Sequence, residues 1–346
     1  MIKITEKADI TQMTTFGIPA ECGCLVEYAS ASDLETLYDQ RKLSGDFLLI
    51  GGGSNLLFVN GSYPGMLLHC ADTSIDWLHD STDEPIMVCG AGVTLDDACC
   101  IAAERGLWGL ENLSGIPGSV GGAAVQNAGA YGVEICDVVN YLEVFFNEEG
   151  EGCLHTMDCA DCRYGYRSSI FKSPELKGRR IITKVAFRLR RNGKPMLSYT
   201  ALGRHIEALD VAADAITPAL LRQAVLSIRD GKLPHPAETG SAGSFFKNPV
   251  VTAGEYDAIC RRSGMEPSSH RLDDGTIKLS AAWLIDKAGC KSFTVGGAAL
   301  WPAQPLVLVN RGGATGRDVA TLAERVIDTV DRRFGVRLSP EVIFVK

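Results

Sequence analysis

The sequence predicts an α+β chain folded as two domains, and three observations predict it. A length of 346 residues is about twice what one hydrophobic core ordinarily organises. Short apolar runs of strand length stand beside two glycine-rich loops, Gly51–Gly53 and Gly115–Gly132. Glycine reaches 37 residues while charged content stays ordinary, which fits a loop-rich mixture of helix and strand.

Composition also narrows the partners. There are 34 basic and 42 acidic residues, a net charge of −8, which speaks against nucleic acid or an anionic membrane surface. An anionic substrate would need locally placed Arg or Lys. The start, MIKITEKADITQ, lacks the apolar segment of a signal peptide, and no apolar run reaches the roughly 18 residues of a membrane span. The 12 cysteines are scattered, several in apolar runs such as Asp97–Ile101, where they behave as small hydrophobes. Cys159-Ala160-Asp161-Cys162 is a single C-x-x-C without a second pair at zinc-ribbon spacing, so idle or buried thiols are expected there. The 6 histidines are dispersed, and no metal site is expected. The expected compartment is the reducing cytoplasm.

Along the chain, Thr14-Thr15-Phe16-Gly17 precedes a first strand at Cys24–Tyr28. Ser32-Asp33-Leu34-Glu35 has the form of a capping box, and Leu34, Leu37 and Tyr38 make the apolar stripe of a short helix. Phe47–Ile50 is a strand running into Gly51-Gly52-Gly53-Ser54-Asn55, with Leu56–Val59 as the strand beyond. This opening reads as a subdomain of about residues 1–64. Short strands in Met66–His69 and Pro85–Gly92 follow, then a helix that Thr94 caps and Gly106 stops. Tyr141–Phe146, Gly152–Thr156 and Ile181–Arg190 read as strands of a second subdomain, 65–205. A smaller α+β domain is expected over 206–346. Thr217-Pro218 starts its first helix, which carries Leu220, Leu221, Ala224, Val225 and Ile228 and ends at Gly231. Helices Ser280–Ala288 and about Arg317–Phe334 are stopped by Gly289 and Gly335, and Pro305–Asn310 and Val342–Val345 are strands.

The stretch Gly115–Gly132, GIPGSVGGAAVQNAGAYG, holds six glycines and four alanines. Small side chains let backbone approach a flat or anionic ligand, and free N–H groups in such loops cradle phosphate oxygens. A tight bend in β-structure is the alternative. Neither loop fits G-x-G-x-x-G or the P-loop pattern, so the Rossmann and P-loop readings are disfavoured. Two such loops beside strand material suggest one long dinucleotide threaded between them.

LLIGGGSNLLF followed by ENLSGIPGSVGGAAVQNAGAYG resembles the UDP-N-acetylenolpyruvoylglucosamine reductase family. The match continues, in order, through GYRSSIFK (165–172), GSFFKNP (243–249), KLSAAWLIDKAG (278–289) and SPEV (339–342). The resemblance implies a two-subdomain FAD-binding fold of the vanillyl-alcohol-oxidase type, with the smaller α+β domain binding substrate. It also implies reduction of an enolpyruvyl UDP-sugar by NADPH through non-covalent FAD, in a monomer with no nucleic-acid or membrane partner. Carried over position by position, Gly51, Gly52, Gly53, Ser54, Asn55, Gly115, Ile116, Pro117, Gly118, Gly121, Gly122, Gln126, Asn127, Gly129, Ala130 and Tyr131 would hold FAD.

The catalytic set implied by the resemblance is Arg167, Ser244 and Glu341. Ser244 would give a proton to the carbon that becomes carbanionic, although a serine after a glycine run often only caps a turn. Arg167 would hold the substrate carboxylate through its planar fork, and Glu341 would stabilise the developing charge with it. Tyr166, Tyr199, Lys232, Asn248 and Gln304 match positions that contact the sugar nucleotide; Tyr199 by itself is equally a packing residue. Two other readings remain open at this point: a flavin oxidase of the same fold acting on an alcohol or lactone, and a silent flavin or sugar-nucleotide sensor.

Overall fold

The computed structural model describes residues 1–346 and divides into two compact units. Unit 1 comprises Met1–Ala8, Cys22–Gly52 and Pro64–Asp230; unit 2 comprises Asp9–Glu21, Gly53–Tyr63 and Gly231–Lys346. No helix is long and apolar enough to cross a membrane.

Unit 1 is built on two sheets. The first runs in the order Lys3–Asp9, Glu21–Tyr28, Ser62–Cys70, Phe47–Ile50, the last pair being parallel. Helix α1 (Ala31–Asp39) buries Leu34 and Leu37. Its N-cap is Ser30, whose hydroxyl accepts from Asp33 N, so the expected box beginning at Ser32 starts two residues too late. The second sheet is antiparallel, ordered Glu151–Asp158, Val139–Glu148, Arg180–Arg188, Ile86–Gly90, Ile75–Leu78. Its inward side chains, among them Leu142, Val144, Val185 and Phe187, pack with α2 (Leu95–Glu104) and α3 (Val120–Gln126) in one apolar core. Thr94 caps α2 as its sequence predicts, accepting from Asp97 N at 3.1 Å.

Helix α3 lies inside the glycine-rich stretch, where small residues conceal a helical turn. Helix α4 (Thr200–Ala208) runs across the boundary expected after 205. Its Leu202 and Ile206 are buried with Trp108 and with Leu221 and Val225 of α5 (Pro218–Asp230). That packing keeps α5 in unit 1, which runs to Asp230, past the boundary expected after 205.

Unit 2 recruits chain from the N-terminal part for an equally physical reason. Phe16, Ile18 and Leu57 are buried in one core with Phe245, Phe246, Leu284 and the inner face of α8 (Gly316–Phe334). Leu56–Phe58 pairs in parallel with Ile343–Val345, so the strand after the first glycine loop belongs to a different sheet from the strand before it. A four-stranded sheet ordered Gly240–Ser244, Gln304–Asn310, Ala298–Trp301, Thr294–Val295 carries the rest of the core. Helices α6 (Ala253–Ser263) and α7 (Ala281–Lys287) complete the unit, α6 through a Thr252/Glu255 capping box absent from the sequence reading.

Candidate functional site

In unit 1 the two glycine-rich loops pack against each other. A Cβ on Gly52 would sit 2.7 Å from Gly118 Cα and 3.2 Å from Ser119 N, closer than atoms tolerate, and one on Gly51 would strike Ser119 Oγ. The backbones therefore meet here with nothing between them, so at these positions the glycines serve the packing of one loop on the other rather than leaving a gap through which a dinucleotide could thread. Ser119 caps α3 by accepting from Gly122 N at 3.1 Å.

The far end of the second loop is tied down by the 165–172 motif. Gly165 and Ser168 exchange two backbone hydrogen bonds of 3.0 Å, closing a two-residue loop of Tyr166 and Arg167. Arg167 has φ +54, Tyr131 +50 and Asn127 +44. These left-handed conformations are disfavoured by about 1–2 kcal/mol for side chains such as Arg and Tyr. Arg167 and Asn127 share one network, and Tyr131 is held by a separate bond. Arg167 Nη2 donates to Gly129 O at 2.8 Å and Nη1 to Asn127 O at 3.3 Å. The fully buried Asn127 donates through Nδ2 to Glu134 Oε2 at 2.8 Å and to Gly165 O at 3.0 Å. Asn112 Nδ2 donates to Tyr131 O at 2.8 Å. Strain that surrounding bonds over-determine is a mark of functional loops.

Several charged groups here escaped the sequence reading. Lys172 Nζ donates to Gln126 Oε1 at 2.7 Å and to Arg167 O at 3.0 Å; its place within GYRSSIFK was the signal that could have found it. Asp96 accepts from Gly115 N at 2.6 Å and pairs bidentately with Arg222 of α5. The Arg222 hydrogen bond holds the Asp96 carboxyl below its usual range. Arg229, also on α5, lies against Gly115, and burial lowers its pKa. Burial likewise raises that of Tyr131. Nothing local in the sequence connects α5 with Gly115. Tyr199, largely exposed, precedes α4 and meets Tyr131 edge to face at 5.2 Å.

In unit 2, Ser244 and Glu341 come from neighbouring extended segments. Gly243 has φ +64, and the register against Gln304–Asn310 slips between Ser241 and Ser244. That combination is a β-bulge with glycine in the left-handed position, a device that re-aims the next side chain. Ser244 is accordingly exposed while Phe245 and Phe246 are fully buried behind it. On the other side, Glu341 N donates to Phe245 O at 2.8 Å and Lys247 N to Ser339 O at 2.9 Å. Asn55 clamps the same segment, its Nδ2 donating to Glu341 O at 3.1 Å and its carbonyl accepting from Ile343 N. Asn55 and Gly53 thus serve unit 2, apart from Gly51 and Gly52 in unit 1.

The remaining positions are also defined. Asn248 Oδ1 accepts from Ala281 N at 2.9 Å, a structural duty at the start of α7. Gln304 opens the strand Gln304–Asn310. Lys232 is exposed, its carbonyl accepting from Trp301 Nε1 at 3.1 Å. Cys159 and Cys162, in a short 3-10 turn, are free thiols, and burial raises the pKa of both.

Residues 23–153 match an FAD-binding-domain family, and residues 235–345 match the family described as UDP-N-acetylenolpyruvoylglucosamine reductase, C-terminal domain. The UDP-N-acetylenolpyruvoylglucosamine reductase of Bacteroides fragilis strain YCH46 is 39% identical over 340 residues, covering 98% of this chain and 99% of that one. Its namesake in Burkholderia ambifaria strain MC40-6 is 41% identical over 332 residues, covering 96% and 94%. The crystal structure of UDP-N-acetylenolpyruvylglucosamine reductase from Thermus caldophilus superposes with a TM-score of 0.69 at 26% identity, across 100% of both chains. With sequence likeness running end to end and both family models matched in order, the chain belongs to the UDP-N-acetylenolpyruvoylglucosamine reductase family.

Proposed function

We propose that this protein reduces the enolpyruvyl ether of UDP-GlcNAc-enolpyruvate to UDP-N-acetylmuramate, a step in building peptidoglycan precursors, with NADPH as electron donor. FAD held by this chain would supply the hydride chemistry, taking hydride from NADPH for delivery to the terminal alkene carbon. The packed pair Gly51-Gly52 and Gly118-Ser119 supports this reading by bringing two small-residue backbone stretches together, where N–H groups can face phosphate oxygens. Gly51–Asn55 with Gly115, Ile116, Pro117, Gly118, Gly121, Gly122, Gln126, Asn127, Gly129, Ala130 and Tyr131 are the residues we assign to holding it.

The observation that carries the catalytic reading is the bulge at Gly243, which presents Ser244 outward beside the Glu341 segment. Hydride addition leaves negative charge on the adjacent carbon and its carboxylate. Ser244 gives that carbon a proton and is re-protonated from solvent. Arg167 supplies a fork for the carboxylate, and Glu341 is assigned to stabilising the developing charge. Tyr166, Tyr199, Lys232, Asn248 and Gln304 position the sugar nucleotide, with Lys232 as a point charge for its diphosphate. The enzyme works as a cytoplasmic monomer, in keeping with 12 free thiols.

Mixing the purified protein with NADPH and UDP-GlcNAc-enolpyruvate tests this reading. One UDP-N-acetylmuramate should form for each NADPH consumed. Oxygen uptake with alcohol or lactone substrates, and no product from the UDP-sugar, would point to an oxidase instead.

A further inference from the structure

The strand Glu151–Asp158 is the outermost of the five-stranded sheet, and strand alternation puts Glu151, Cys153 and His155 on one face. Their three ligand atoms lie within 4.8 Å of one another. Cys153 Sγ is 3.2 Å from His155 Nε2, which is 3.0 Å from Glu151 Oε1. The imidazole is held in place by stacking on Phe146, with ring centroids 4.0 Å apart and planes at 27°. Phe146 faces Cys153 across the ladder and carries the Arg180 guanidinium on its ring at 3.6 Å.

A thiolate, an imidazole and a carboxylate form a donor set suited to zinc, and a tetrahedral ion with bonds of about 2.0–2.3 Å draws its ligand atoms to roughly 3.2–3.8 Å apart. The strand already approaches that spacing. We propose that Glu151, Cys153 and His155 bind Zn²⁺, with water in the fourth position. On binding, the S–H bond of Cys153 breaks, its proton leaves to solvent and the sulfur pair forms the bond to zinc. His155 offers the lone pair at Nε2, so its ring proton sits on Nδ1. The site owes nothing to the glycine loops or to the residues assigned to the reduction. A single cysteine and a single histidine two residues apart match no zinc-ribbon spacing, which is why motif reading passes over them.

The test uses the FAD-loaded full-length protein in a copper-free reducing buffer, titrated with Zn²⁺ against a chromophoric chelator. We expect one zinc per chain, lost in Cys153→Ser and weakened at least tenfold in His155→Gln, while Cys159→Ser binds as the parent does. Calorimetry in two buffers should show a proton released with the parent and none with Cys153→Ser. Equal FAD content and circular dichroism across the variants keep loss of zinc distinct from loss of fold. No binding by the parent up to about 100 µM Zn²⁺, or undiminished binding by Cys153→Ser, overturns the proposal.

Discussion

At the scale of single residues, conformation sorts the assigned groups into two kinds. Arg167 and Tyr131 occupy left-handed backbone that their side chains disfavour; bonds to the carbonyls of Asn127 and Gly129 hold Arg167, and a bond from Asn112 holds Tyr131. Ser244 instead relies on the glycine before it to turn outward. If Ser244 gives the proton, Ser244→Ala should leave FAD content, folding and flavin reduction by NADPH near wild type. Reoxidation by UDP-GlcNAc-enolpyruvate should slow by about 10²–10⁴-fold, as for loss of a general acid. Stopped-flow absorbance separates the two half-reactions. Wild-type reoxidation would reduce Ser244 to a turn residue.

At the scale of elements, the close approach of the two glycine loops and the pairing of α2 with α5 each make a prediction. Gly52→Ala forces a methyl to within 2.7 Å of Gly118 Cα. It should destabilise by about 1–3 kcal/mol and yield protein with less bound FAD. Gly254→Ala is the matched control: nothing lies within 4 Å of its added Cβ on α6. That change should be neutral or stabilising by up to about 1 kcal/mol. Urea unfolding and the flavin-to-protein absorbance ratio check both. Asp96 works by charge. Its folded pKa lies below the ordinary 3.8, so the stability it contributes is present above that value and lost as pH falls through the folded one. Asp96→Asn should therefore lower stability at pH 7 and flatten the loss of stability on acidification. An unchanged pH profile would show that the bond to Arg222 adds nothing. Much at this scale was legible in advance: Thr94, Thr217-Pro218, Gly289 and Gly335 mark helix ends chemically, and long alternating runs mark the central strands. Helix α3 was hidden because its glycines and alanines read as loop, and α4 because its apolar face is only Leu202 and Ile206.

At the scale of the whole molecule, the motifs gave the family, but chain order misplaced the division. Hydrophobic burial decides it: α5 joins the core of Trp108 and Leu202, while Phe16 and Leu57 join that of α8. No local pattern announces such long-range choices. A chain of 37.1 kDa working as a monomer should elute at that mass in light scattering; twice the mass would refute it. The most direct test of the central claim is a single turnover without oxygen. Holoenzyme reduced by one equivalent of NADPH and freed of NADP⁺ is mixed with UDP-GlcNAc-enolpyruvate, and flavin absorbance and product are followed together. The flavin should reoxidise at a rate no slower than steady-state turnover, with one UDP-N-acetylmuramate formed per flavin. Flavin that stays reduced, or reoxidises without that product, would contradict the account.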